Sequence, residues 1–319
     1  ERFGTPLLVL SLEQIEKNYR FLKKHLPRVQ LYYAIKANPH QRILELLRDL
    51  GSCFDVASDG EIRTLAAMGI DGERLIYANP IKTGGGLQAC CDVGVHKMTF
   101  DSESEIGVCF HVGSQTMSAD PYLNALDLAR EIFEEAAAAG MQLRILDIGG
   151  GFPIPEPKVR FNLKEMLKQI NARLDEDFPN VEIWAEPGRF MCGTAVNLIT
   201  SVIGVTERGG QPWYFLDDGL YGTFSGVIFD QWDFKLISFK EGEEVEATFA
   251  GPSCDSLDIM FRGKLTVRQE VGDLLLVPSC GAYTSASATT FNGFSKANFI
   301  VWEDLKDEIE PQPQAAMVG

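Results

Sequence analysis

Tyr32-Tyr33-Ala34-Ile35-Lys36-Ala37-Asn38-Pro39 decides the fold. An almost wholly apolar run, Val29 to Ile35, ends on a lysine and breaks at a proline-bearing turn. Such a run reads as a strand buried on both faces, the habit of parallel sheets. Asn38 then reads as the cap of the next helix, with Pro39 in its first turn. The same unit recurs on either side. Upstream, Leu7 to Leu10 is strand-like, and Ser11 with Gln14 forms a capping box for a helix running toward Leu22. Downstream, Cys53-Phe54-Asp55-Val56 precedes a helix from Ser58 to Met68 closed by Gly69. Strands follow at Leu75–Ala78 and Lys97–Phe100. A long helix opens at Asp120-Pro121, runs through Ala139 and stops at Gly140; strands at Leu143–Asp147 and Val181–Ala185 come after it. Repeated strand, loop, helix units imply a parallel sheet with helical crossovers, and their number predicts a (β/α)8-type barrel rather than an open sheet.

After about Ala195 the texture changes. Ile199–Val205, Trp213–Leu216, Val227–Phe229, Val245–Phe249 and Leu274–Val277 are strand-like and joined by Gly, Pro and Asp turns, which predicts an all-β domain of sandwich or barrel type. The class is therefore α/β plus all-β, with 11–195 as the barrel domain and 1–10 with 196–319 as the β domain. Only the tail after Ile309 reads as loosely ordered.

One link does not fit. Asp101 to Gly107 is too short to return the chain between parallel neighbours, which takes about 10 residues or more. Either the strands around it run antiparallel, or a segment is lacking where Ile106 meets Gly107. The second is the expectation, because a hairpin would put His111 at the wrong end of the barrel.

Bulk properties bound the function. With 319 residues, 45% apolar and 23% charged, the chain has the composition of a folded globular protein. A formal charge of −16 disfavours nucleic-acid and anionic-membrane partners. No apolar run spans a bilayer and Glu1-Arg2-Phe3-Gly4 carries no secretory pattern, so the cytoplasm is the expected compartment. Seven cysteines without a CxxC spacing read as reduced thiols, and four histidines without a paired spacing predict no metal.

Four strand ends carry chemistry. Lys36 stands where barrel active sites are built; a buried amine there is nucleophilic toward an aldehyde, although by itself the feature reads better as a strand-end lysine. Gly149, Gly150 and Gly151 follow a strand and expose N–H groups that suit a phosphate, or simply a tight turn. In Glu186-Pro187-Gly188-Arg189 the carboxylate suits a pyridine nitrogen and the arginine a phosphate; the plain alternative is a salt bridge. His111 and Ser114 close another strand, where the ring suits a planar cofactor and the hydroxyl its phosphate.

Together, YAIKAN, FDVAS, HVGSQ, DIGGGFP, EPGRF, GPSCDSLD, GAYT and FNGF resemble the barrel-type ornithine/arginine/diaminopimelate decarboxylase family, most closely its ornithine and lysine/ornithine branch. The resemblance runs through almost the whole chain in order. It implies pyridoxal 5′-phosphate as cofactor, bound covalently by Lys36, with His111 stacked on its ring and Glu186 at the pyridine nitrogen. Ser114, Gly149, Gly150, Gly151, Gly188, Arg189 and Tyr283 are then cofactor-binding, with Asp55 beside the lysine. Glu61 belongs to the family pattern but serves equally as the capping partner of Ser58. The resemblance further implies a homodimer with shared active sites, into which Cys254 brings the proton returned to the decarboxylated carbon. Asp255 and Asp230 receive the distal ammonium of the substrate. Ornithine is the expected substrate and lysine, one methylene longer, the second. Arginine or diaminopimelate decarboxylation and a non-catalytic regulatory homologue are the alternatives. The family carries a helix, a strand and a loop with an arginine where Ile106 meets Gly107, and this chain has none of it. A shorter gap is expected around Pro157-Lys158.

Overall fold

The computed structural model describes residues 2–79, 81–99, 107–156 and 161–309. The chain divides into two compact units, Ile15–Cys192 and a second made of Glu1–Gln14 with Gly193–Gly319. Strand β1 (Leu7–Leu10) opens the chain and belongs to the second of these. Helix α1 (Leu12–His25) follows. It buries Ile15, Asn18, Tyr19 and Leu22 at helical spacing, with Glu13 at its start and Lys23, Lys24 and His25 at its end, as the helix dipole favours.

The larger unit is built on a curled sheet of seven parallel strands. These are β2 (Gln30–Ala34), β3 (Cys53–Val56), β4 (Leu75–Tyr77), β5 (Lys97–Met98), β6 (Gly107–Cys109), β7 (Ile145–Asp147) and β8 (Glu182–Ala185). Their order is β5-β4-β3-β2-β8-β7-β6, and every pairing is parallel. Crossover helices are α2 (Gln41–Asp49), α3 (Asp59–Ala67), α4 (Gly84–Val93), α5 (Asp120–Ala138) and α6 (Leu163–Asp177), with the short α7 (Arg189–Cys192) after β8. Tyr32, Cys53, Ile76 and Trp184 from four strands form one buried layer, with the Tyr32 and Trp184 rings 5.1 Å apart. Beyond that layer lie the C-terminal strand ends, where barrel chemistry sits.

Among the described residues β5 and β6 stand at opposite edges of this sheet and do not pair with each other. Among the described residues the barrel sheet has seven strands, and its two edges are the strands that flank the link where the sequence predicted a lacking segment; the antiparallel alternative is excluded because β6 runs parallel to β7. Residues 101–106, the expected gap at Pro157-Lys158 and the tail beyond 309 lie outside the described residues.

Local differences have physical reasons. Asn38 does not cap α2. The helix starts only at Gln41, so Asn38 lies too far upstream and its Oδ1 accepts from His40 N–H at 3.1 Å instead; His40 takes the cap, its Nδ1 accepting from Arg42 N–H at 3.3 Å.

The second unit carries β9 (Val196–Arg208), β10 (Gln211–Leu216), β11 (Ile237–Ser238), β12 (Glu244–Ala250), β13 (Ile259–Val267), β14 (Leu274–Val277) and β15 (Asn298–Val301). The order is β11-β14-β9-β10-β12-β13, with β1 antiparallel to β9 and parallel to β15. Val196, Leu198, Thr200 and Val202 of β9 alternate inward, as a half-buried strand must. Val227–Phe229 is not a strand: it lies in the short helix α8 (Gly226–Phe229), with Ile228 and Phe229 exposed. Among the described residues the unit closes on α9 (Trp302–Ile309), which follows directly on β15. No helix among the described residues is long and apolar enough to cross a membrane.

Candidate active site

Lys36 lies in a 3-10 turn, Ile35–Ala37, directly after β2. Its Nζ is 3.2 Å from Asp55 Oδ2 at the end of β3. The lysine is not the buried amine expected: its side chain is 51% exposed, whereas that of Asp55 is 1% exposed. Burial raises the pKa of Asp55 and the neighbouring Lys36 charge opposes the rise.

The triple glycine turn closes β7. Asp147 Oδ1 accepts from Gly149 N–H at 2.8 Å, which fixes the left-handed Gly149 (φ +66°). Glu186 N–H donates to Gly149 O at 2.8 Å, and the buried Tyr122 hydroxyl donates to Gly150 O at 2.8 Å. A Cβ on Gly150 would lie 2.7 Å from Glu186 O and 3.2 Å from His111 Nε2. The turn, the end of β8 and the histidine after β6 therefore converge.

His111 Nδ1 accepts from Gly113 N–H at 3.0 Å, leaving Nε2 toward Gly150. Burial lowers its pKa, and the Lys36 charge adds to that. Arg189 Nε approaches Ser114 Oγ at 3.4 Å. Gly188 opens α7, its carbonyl accepting from Met191 N–H at 3.0 Å.

Glu186 and Asp147 are both buried carboxyls that meet through their side chains, and Asp55 acts on both. Burial is the first cause that pushes Glu186 and Asp147 upward, and mutual repulsion is the second for Glu186. Asp147 was not among the residues predicted for the site. Its signal was the aspartate two residues before a left-handed glycine. Glu61 does cap α3: its N–H donates to Ser58 Oγ at 3.3 Å and its Oε2 accepts from Ala57 N–H at 2.6 Å.

The remaining expected residues stand in the other unit. Cys254 is exposed and donates its N–H and thiol to Asn292 Oδ1. Asp255 accepts from Leu257 N–H at 2.9 Å and from the Tyr221 hydroxyl; these bonds hold its carboxyl below the usual range. Asp230 is the C-cap of α8. Tyr283 has a left-handed backbone at φ +55°, and its carbonyl accepts from Ser287 Oγ at 3.0 Å.

Pyridoxal phosphate fits the residues of the barrel unit on two observations. Glu186 Oε1, Asp147 Oδ2 and Asp55 Oδ1 are buried and without a hydrogen-bond partner, so beyond the bond from Lys36 the cluster keeps acceptors for a cationic N–H of the kind a pyridinium carries. The glycine turn, in turn, leaves beside His111 and Glu186 a space that a single Cβ would fill.

The family model described as "Pyridoxal-dependent decarboxylase, pyridoxal binding domain" matches residues 12–107 and 105–193. The two matched stretches meet at the short link before β6. The lysine/ornithine decarboxylase of Selenomonas ruminantium is 44% identical over 358 residues, covering 95% of this chain and 91% of that protein. That alignment is longer than the 319 residues present, so the relative carries residues with no counterpart here. The crystal structure of SrLDC in complex with PLP and cadaverine is similar at TM-score 0.92 and 45% identity, over 96% of this chain and 93% of that one. Lysine/ornithine decarboxylase complexed with cadaverine from Vibrio vulnificus matches at TM-score 0.90 and 34% identity, over 94% and 95%. With its cofactor-fitting strand ends, its barrel and these matches, the chain belongs to the pyridoxal-dependent decarboxylase family.

Proposed function

We propose that this chain decarboxylates L-ornithine to putrescine and, as a second substrate, L-lysine to cadaverine, supplying precursors for polyamines. The observation that carries this reading is the convergence of Lys36, Asp55, His111 and Glu186 on the triple glycine turn. Bound there, pyridoxal 5′-phosphate supplies an aldehyde that captures amines and a ring that takes up the electron pair left behind by carbon dioxide.

The protein's own residues do the rest. Lys36 contributes the amine that is exchanged for the substrate's α-amine, and Asp55 orients it. Glu186 would keep a proton at the pyridine nitrogen, and His111 would help to hold the ring. Ser114, Gly149, Gly150, Gly151, Gly188, Arg189 and Tyr283 hold the phosphate. Cys254 returns a proton to the carbon that loses carbon dioxide. Asp230 and Asp255 bind the distal ammonium, a charge-assisted pairing. Cys254 and Asp255 come from the partner subunit of a homodimer with shared sites. The seven free thiols support a cytoplasmic home.

The test offers ornithine, lysine and arginine together to the enzyme loaded with pyridoxal phosphate and quantifies the amines formed. Putrescine should lead. Cadaverine should follow within the roughly 1–3 kcal/mol that one methylene is worth. Lys36→Ala should abolish both products and the visible absorbance of the cofactor; full turnover by that variant overturns the proposal. The edges of β5 and β6, which pair with no further strand among the described residues, favour a second reading, a non-catalytic homologue. Cofactor absorbance without any amine product would select it.

A further inference from the structure

Phe291-Asn292-Gly293 is a motif that the scheme above leaves without a task. Asn292 Oδ1 accepts from the backbone N–H of Cys254 at 3.2 Å and from its thiol at 3.4 Å. The first contact fixes the amide's orientation: a backbone N–H faces only an acceptor, so the oxygen, not the NH2 group, meets the thiol. Asn292 has a left-handed backbone, φ 53° and ψ 14°, which asparagine tolerates better than most residues.

The turn that presents it is anchored to the residue that holds Asp255. Phe291 N–H donates to Thr289 Oγ1 at 3.2 Å, and Thr289 N–H donates to Tyr221 O at 2.8 Å. The Phe291 ring stacks on Tyr221 at 4.2 Å between centroids, with 24° between the planes. The Tyr221 hydroxyl donates to Asp255. Cys254 and Asp255 are thus gripped from two ends of one connected frame, the thiol by Asn292 and the carboxylate by Tyr221.

We infer that Asn292 is a positioning residue for proton return: its side-chain oxygen accepts from the Cys254 thiol and keeps it pointed in one direction. This rests on the proposed role of Cys254. In that step the S–H bond breaks and a C–H bond forms at the carbon that has lost its carboxylate. The sulfur is left as thiolate and takes its next proton from water. An unheld thiol rotates among its rotamers, so its proton is less often where the carbon needs it.

The experiment compares Asn292→Gly, Asn292→Asp and Cys254→Ala in the enzyme loaded with pyridoxal phosphate. Glycine keeps the left-handed backbone and removes the oxygen; aspartate keeps both. For N292G, kcat with ornithine should fall by about 100-fold with KM little changed, the size of effect a misplaced reacting group has. Peptide-resolved alkylation of Cys254 by iodoacetamide should become several-fold faster, since the sulfur is no longer held against Asn292 Oδ1. N292D should retain slow alkylation and most of kcat. Wild-type alkylation and wild-type kcat in N292G overturn the inference, as does N292D behaving like N292G. If N292G does not fold, a loss of kcat of about 10-fold or more in a folded N292D overturns it, because that variant still offers the oxygen. Full kcat in C254A removes the role of Cys254 and the inference with it. An impaired C254A beside an unimpaired N292G removes the inference alone.

Discussion

Lys36 Nζ meets Asp55 Oδ2 at 3.2 Å, a half-exposed ammonium held against a carboxylate that is almost wholly buried. Asp55 is costly to keep: it is buried, its pKa is raised by that burial, and its Oδ1 has no donor. It therefore serves the position of the lysine rather than the stability of the fold. Asp55→Asn should leave the melting temperature unchanged or higher while kcat falls by about 10-fold or more. Calorimetry and an amine-release assay on the same preparation check this; a variant that loses stability and keeps kcat contradicts it.

Glu186, Asp147 and Asp55 all bind their protons more tightly in the folded chain, with burial as the leading cause. Their contribution to stability is complete below the unfolded values, 4.5 for the glutamate, and is lost as the pH rises through the folded ones. Without pyridoxal phosphate the protein should melt at progressively lower temperature from about pH 5 to about pH 9, and Glu186→Gln should flatten that slope. A melting temperature that climbs over the same window counts against the buried carboxyl cluster.

Gly150 and Gly140 separate packing from backbone strain. A Cβ on Gly150 would press on Glu186 O at 2.7 Å, so Gly150→Ala should cost about 1–3 kcal/mol and weaken binding of pyridoxal phosphate. Gly140 is left-handed at φ +81° with nothing within 4 Å of the added carbon. Gly140→Ala should cost about 1–2 kcal/mol and keep full activity. Urea melts and cofactor titration of the two variants read the difference.

Glu303 of α9 caps α1 from the far end of the sequence. It accepts from Leu12 N–H at 3.0 Å, Glu13 N–H at 2.9 Å and Ser11 Oγ at 3.0 Å. Burial pushes its pKa up, but the backbone N–H bonds from Glu13 and Leu12 outweigh it and leave the carboxyl below its usual range. Glu303→Ala should lose about 1 kcal/mol at neutral pH. A depressed value means that this stability is present above the unfolded pKa and vanishes as the pH falls through the folded one, so wild type and variant should converge in acid.

The barrel unit was legible because its strands are apolar on both faces and its helices announce their caps; Ser58 is one. Its strand-end residues were legible too, since the end of a parallel strand is where barrel chemistry sits. What was not legible came from contacts remote in sequence. The half-exposed state of Lys36 depends on its neighbours after folding, and apolar sequence on either side suggested burial. Val227–Phe229 has strand composition but leaves Ile228 and Phe229 in solvent as part of a short helix. Strand β13 escaped notice because Arg262, the left-handed Gly263 (φ +63°) and Lys264 interrupt its alternation. The grip of Asn292 on Cys254 spans 38 residues and has no periodic signature.

The uncoupled margins of the seven-stranded sheet bear on handling of the protein. Strands β5 and β6 each have one side that no described strand covers, and a strand edge is a template on which backbone of another chain can pair. Self-association of this chain should therefore rise with its concentration. The same bare margins are the natural place to splice in a donated strand.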